Sequence, residues 1–212
     1  MDLGGNWQRT RIGIDIVQES PDQIVNLIER LGRLTRGAQH AEGLKPAQWE
    51  ALRFLSRANK ASRNPGALAD FLSSTRGTVS QTLITLEKKG LITRSINPGD
   101  GRGKNLELTD EGRAAVSRDP LRQIEAAVAK ATNANDATEG GVLATGLQSV
   151  LHEVALQNGA PSFGRCDGCA HFRENGAMGD ERGPHRCELL GEPISEFEHN
   201  LICRAHEAYS AA

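Results

Sequence analysis

Three short polar side chains, Asn64, Thr75 and Thr109, each stand directly before a run that can start a helix, and Gly90 ends one of those runs. A residue of this kind caps the free amides of a first helical turn, and a glycine past the last turn closes a helix. These punctuation marks cut the middle of the chain into segments of fixed type. A short helix over 65–72 turns its Leu68, Ala69 and Leu72 inward, the cluster Ser73-Ser74-Thr75 breaks it, and a second helix carries Val79, Leu83 and Leu86 as far as Gly90. Two β-like runs follow, 91–96 and 104–108, around the Gly-, Pro- and Asn-rich stretch 97–103, which reads as a hairpin loop. Longer apolar stripes flank this block. Ser20, Pro21 and Gln23 form a helix start ahead of Ile24, Leu27, Ile28, Leu31 and Leu34 over 21–39. A helix over 46–58 carries Trp49, Leu52, Phe54 and Leu55. Thr109 opens another that is interrupted at Asp119-Pro120 and continues to 132, and the last, 138–158, carries Val142, Leu143, Leu147, Val150, Leu151 and Val154. With only 4% aromatic residues, these cores rest on Leu, Val, Ile and Ala. Residues 1–19 are left unassigned. The fold class expected is mainly α with a small β wing.

The net charge of −2, taken alone, argues against a polyanionic partner. It is a cancellation. Residues 45–113 carry twelve Lys and Arg against seven Asp and Glu, a balance of +5, whereas residues 163–212 carry five Arg against nine acids, a balance of −4. Such asymmetry suits an anionic partner for the centre and a separate role for the tail. No apolar run reaches the ~18–20 residues of a membrane span, and the first residues lack the flanks of a signal peptide, so a cytoplasmic chain without a membrane partner is expected.

Short helix, turn, polar-faced helix and two strands is the order of a winged helix-turn-helix. A DNA major groove about 12 Å wide admits one helix whose leading turn offers polar groups to base edges while its other face packs inward. The helix after Ser74 divides in that way. Arg76 and Gln81 are the candidate base readers, Arg for guanine and Gln for adenine; Thr75, Thr78 and Ser80 suit phosphates, and Lys88 and Lys89 add sequence-independent attraction. Arg102 and Lys104, on a thin loop, suit a minor groove. Asp100 is assigned to holding Arg102 in place by pairing or by capping turn amides.

Residues 44–112 resemble the DNA-binding core of the MarR family of bacterial transcription regulators. Pro46-Ala47-Gln48-Trp49-Glu50-Ala51-Leu52-Arg53-Phe54-Leu55 is similar to the family's second helix. Thr75-Arg76-Gly77-Thr78-Val79-Ser80-Gln81-Thr82-Leu83 with Leu86-Glu87-Lys88-Lys89-Gly90-Leu91-Ile92 is similar to its recognition helix and first wing strand. Asp100-Gly101-Arg102 matches the wing's Asp-x-Arg, and Leu108-Thr109-Asp110-Glu111-Gly112 the Leu-Thr-x-x-Gly that opens the next helix. The resemblance implies a homodimer through the first and last helices, double-stranded DNA with a pseudo-palindromic operator as partner, and a small aromatic effector. The corresponding organisation is 20–44 and 110–160 as dimerisation helices, 45–109 as the winged helix-turn-helix and 161–212 as a separate module.

All four cysteines lie in that last module, Cys166-x2-Cys169, then Cys187 and Cys203. Disulfides are disfavoured in the cytosol, and a short acidic segment with so few apolar residues lacks a sufficient core, so a metal tying its loops together is expected. Four thiolates suit tetrahedral Zn²⁺ or an Fe–S cluster. Zinc, the commoner occupant, is slightly favoured, although only Cys166 and Cys169 form a close pair. His171, His185, His199 and His206 are candidate substitutes or supporting donors. Full thiolate ligation leaves no open metal position, and no nucleophile triad, phosphate loop or carboxylate pair can be assembled, so an enzyme is not expected. The function read from the sequence is a dimeric, sequence-specific DNA-binding regulator tuned by the metal or redox state of its four-cysteine site, with a protein-docking adaptor as the alternative. An acidic tail is expected to be held away from phosphates, at the dimerisation end.

Overall fold

Trp49, Leu52, Phe54, Leu55, Leu68, Val79, Leu83, Leu86, Ile92 and Leu106, each essentially inaccessible to solvent, make one core in the middle of the chain. The computed structural model describes residues 20–38, 43–97, 100–132 and 137–208, so the unassigned segment 1–19 lies outside the described residues. Around this core run helices α1 (Pro21–Ala38), α2 (Pro46–Arg57), α3 (Pro65–Phe71) and α4 (Arg76–Lys88), strands β1 (Ile92–Asn97) and β2 (Asp100–Leu108), then α5 (Asp110–Ser117), α6 (Arg122–Ala131) and α7 (Ala137–Gln157). The tail carries β3 (Phe172–Arg173), β4 (His185–Cys187) and β5 (Glu192–Ile194), an antiparallel sheet in that order. This is the mainly α fold with a β wing.

The expected caps are made by the expected side chains. Asn64 Oδ1 accepts from the Ala67 amide at 2.9 Å, Thr75 Oγ1 from Thr78 at 3.2 Å and Thr109 Oγ1 from Gly112 at 3.0 Å. At α1 the Gln23 side chain accepts from the Ser20 amide at 2.8 Å, the return half of a capping box. Gly90 takes φ +70°, the left-handed turn that ends α4. Thr109 then binds this turn to the start of α5: its hydroxyl donates to Gly90 O at 2.6 Å and its amide to Leu91 O at 3.1 Å. Gly112 sits so close above Leu91 that a Cβ there would lie 2.0 Å from that carbonyl oxygen.

The wing differs from the loop expected over 97–103. Strand β2 already begins at Asp100, and the register jumps from Ile96 opposite Lys104 to Asn97 opposite Asp100. Gly101, Arg102 and Gly103 are therefore a bulge on a longer strand, a kink that two glycines allow and that a count of turn formers reads as a loop. Residues 98 and 99 lie outside the described residues.

A buried ion pair joins α2 to the α5–α6 elbow. Arg53 donates from Nε and Nη2 to the two oxygens of Asp119 at 2.6 and 2.7 Å, with side chains only 7% and 12% exposed. Burial by itself would raise the Asp119 pKa. The Arg53 hydrogen bonds, the Leu121 amide and the charges of Arg53 and Arg57 outweigh it and hold the carboxyl below its usual range.

The tail does not lie at the dimerisation end. It docks on the helix-turn-helix, through main-chain pairing of Ile202 with the end of α2: Ile202 N donates to Arg57 O at 2.7 Å, and Asn59 N to Ile202 O at 2.9 Å. The Arg204 amide donates a hydrogen bond to Ser62 Oγ at 2.9 Å and its side chain forms an ion pair with Asp70 at 2.5 Å, while Phe163 stands edge-on to Phe54 and Phe71. Charge repulsion from DNA is a weak long-range term under salt screening, and the contact chemistry at this face decides the position. Among the described residues no helix is long and apolar enough to cross a membrane.

Candidate nucleic-acid interface and cysteine cleft

Helix α4 buries Val79, Leu83 and Leu86 and exposes Thr75, Arg76, Thr78, Ser80 and Gln81 at its leading end. The helix is therefore pinned to the core by its apolar face while its first two turns face outward. Thr75 spends its hydroxyl on the cap and sits 2.9 Å from the Thr78 hydroxyl, which orients both. Lys88 is exposed, but Lys89 donates to Gly43 O at 3.1 Å, and Arg94 pairs with Glu87 at 3.1 Å, so these cations brace the helix end. Asp100, Arg102 and Lys104 are placed along β2, and their side chains lie outside the described residues.

The four cysteines converge. Cys166 and Cys169 bracket a 3-10 turn, Cys187 lies on β4, and Cys203 pairs its backbone with Gly164. All four line one cleft of about 1070 Å³, together with Phe172, Leu190 and Ile194 of the tail. On its other side the cleft meets Asn64 and Gly66 of α3, Arg76 at the start of α4, and Ser95 and Asn105 of the wing. Burial, followed by the neighbouring sulfurs of Cys203, Cys169 and Cys187, pushes the Cys166 thiol up to about 12. A site that favours thiols in this way accommodates thiolates when a cation neutralises them.

The histidines do other work. His206 Nε2 donates to Gly168 O at 3.2 Å and its ring covers Gly164, where a Cβ would come within 2.5 Å of it, so it supports the Cys166–Cys169 turn. His171 pairs with Glu207 at 2.8 Å. His185, Glu196 and His199 are the only trio of metal-capable side chains among the described residues whose ligand atoms lie within 4.8 Å of one another. Two of the trio's nitrogens, His185 Nε2 and His199 Nδ1, are buried beside the Glu196 carboxylate without a hydrogen bond of their own. His185 Nδ1 accepts from the Asn175 amide at 3.2 Å, which leaves its proton on Nε2, 3.2 Å from Glu196; His199 faces Asn200 through Nε2 and turns Nδ1 toward the same carboxylate. Sequence reasoning missed this carboxylate facing two imidazoles, because its members come from a strand, a turn and a 3-10 turn with no shared spacing.

Residues 42–103 match the model of the MarR family. The winged segment is thus similar to the MarR family over less than a third of the chain. The matched stretch takes in α2, the helix-turn-helix and most of the wing. Among solved structures, the transcriptional regulator SlyA is 18% identical with a TM-score of 0.50, over 63% of this chain and 95% of its own, a likeness of fold. MepR of S. aureus in its DNA complex is 20% identical, TM-score 0.48, over 64% and 96%. CouR from Rhodococcus jostii RHA1 bound to p-coumaroyl-CoA is 24% identical, TM-score 0.49, over 63% and 95%. No curated protein matches the chain at a significant level. SlyA is matched over nearly its whole length on under two thirds of this chain.

Proposed function

We propose that the chain is a dimeric, sequence-specific DNA-binding transcription regulator that reads a pseudo-palindromic site with α4 and steadies itself on the backbone with its wing. The observation that carries this is the division of α4, with Val79, Leu83 and Leu86 buried and Arg76, Thr78, Ser80 and Gln81 presented at its leading end. Arg76 and Gln81 read bases, Thr75, Thr78 and Ser80 set register on phosphates, and Arg102 and Lys104, with Asp100 beside them, serve the wing. A small aromatic effector belongs to the same reading, and the role is regulation in place of catalysis.

Two exposed apolar stripes support the dimer. Ile24, Leu27, Ile28, Leu31 and Leu34 on α1, and Val142, Leu143, Leu147, Val150, Leu151 and Val154 on α7, are each 40% exposed or more in a single chain. Stripes of this extent mark an interface. Leu31→Asp combined with Leu147→Asp is expected to give a monomer by sedimentation, with the winged segment's circular dichroism retained.

Selection of bound duplexes from a random pool tests the reading itself. Arg76→Ala is expected to relax discrimination at one guanine position by about 1–3 kcal/mol. Lys104→Ala should weaken all sequences alike and lower the salt slope by about one. A chain that binds every duplex equally, or none, would overturn the assignment.

A further inference from the structure

We infer that Cys166, Cys169, Cys187 and Cys203 hold a four-iron, four-sulfide cluster, one thiolate to each iron, and that this cluster fastens the tail onto the helix-turn-helix. The inference goes beyond the DNA-reading role and stands on different residues.

The spacing of the sulfurs selects the occupant. A tetrahedral zinc with Zn–S bonds near 2.3 Å places its four sulfurs about 3.8 Å apart. No three of these cysteine sulfurs come within 4.8 Å of one another, since the only such trio among the described residues is the histidine and glutamate one. Yet all four line one cleft, Cys166 and Cys169 from the two ends of one turn, Cys187 from β4 and Cys203 from its backbone pairing with Gly164. Four thiols that face a common space from beyond zinc distance match a polyatomic core that meets each thiolate at its own iron. Phe172, Leu190 and Ile194 form an apolar part of the wall of the same space, and Lys60, Arg63 and Arg182 bring positive charge to its rim, which suits an anionic thiolate-bound core. Among the described residues no histidine lines the cleft, where all four cysteines do; His171 faces Glu207, His185 and His199 face Glu196, and His206 bonds the Gly168 carbonyl.

The same cysteines sit among the docking contacts. Cys203 lies between Ile202, which pairs with Arg57 and Asn59, and Arg204, which holds Ser62 and Asp70. Its backbone partner Gly164 follows Phe163, which packs on Phe54 and Phe71. The tail's strands are two or three residues long, too short to hold these loops together by pairing alone. A cluster bound at Cys203 and at the three other cysteines therefore orders the segment that grips α2 and α3. Loading is a ligand exchange: a preassembled cluster leaves its donor's ligands, four iron–cysteine bonds form, four thiol protons go to the departing ligands or solvent, and no net electron is transferred.

The test uses the full chain, purified without oxygen and without added metal. The expected result is about four irons and four inorganic sulfides per chain with a brown charge-transfer absorption. One zinc without sulfide, two irons with two sulfides, or no metal would overturn the assignment. Cys187→Ser is expected to lower iron and sulfide at least several-fold, while His199→Gln leaves both unchanged; loss of iron in His199→Gln with retention in Cys187→Ser would overturn the ligand set. For the fastening, hydrogen exchange at the Ile202 and Asn59 amides should accelerate tenfold or more when the cluster is removed, and unchanged protection there would overturn it. Neither readout involves DNA, so either this inference or the DNA-reading assignment can fail alone.

Discussion

Gly112→Ala is expected to cost the winged segment about 3 kcal/mol or more, although the substitution adds a better helix former to α5. A helix interior ordinarily gains roughly 1 kcal/mol from such a change. Here the new Cβ would meet Leu91 O at 2.0 Å and Leu91 C at 3.0 Å, main-chain atoms that cannot swing aside. The carbonyl concerned also accepts the Thr109 amide, in the clasp that joins the end of α4 to the start of α5. Relieving the overlap means parting that clasp, so wing and recognition helix lose their common anchor. Urea unfolding followed by circular dichroism measures the change. A G112A chain as stable as its parent would show that α5 does not need to approach Leu91 so closely.

Asp119→Asn should be comparably damaging, at about 3–5 kcal/mol, because it leaves the Arg53 guanidinium buried without a counter-charge. The pH dependence follows from the direction of the shift. The Asp119 pKa is lower in the folded chain than in the unfolded one, so the pair's contribution is fully present above the unfolded value and is lost as pH falls through the folded one. The stability gap between parent and variant should therefore be constant near neutrality and narrow below about pH 4. A gap that stayed constant down to pH 2 would mean that the carboxylate charge is not what Arg53 needs. Replacing both residues at once, as Arg53→Met with Asp119→Leu, should recover much of the loss, since the pair's cost of desolvation disappears with it.

These two sites show unequally well in the linear chain. The helix starts were legible because their signal is local: Asn64, Thr75 and Thr109 each act within three residues of themselves. The core was legible for the same reason, since Val79, Leu83 and Leu86 recur at helical spacing and are the residues that α4 buries. The Arg53–Asp119 pair was not, because 66 residues separate two common residue types. The bulge at 101–103 was masked by its own glycines, which serve a loop and a kinked strand equally. The position of the tail was hidden most deeply. Ile202 holds the end of α2 through main-chain atoms, which every residue possesses, so no side-chain pattern announces the contact. Phe71 offered one faint hint, as a large ring placed outside the inward stripe of α3.

Docking of residues 202–204 onto residues 57–70 also has a consequence for the order of events in folding. The Ser62 to Arg204 bond closes a loop of 142 residues, a far longer closure than any pairing within the wing. On a ribosome, α2, α3, α4 and the wing can assemble while the tail is still being made, with Phe54 and Phe71 lacking their third ring. The third ring, Phe163, follows only after α7, and the Ile202 and Arg204 contacts that hold the tail there come last of all. Phe163 and Ile202 thus act as a late check on completeness: a chain cut short before Phe163 would present a finished α4 and an uncovered aromatic face, open to chaperones and proteases.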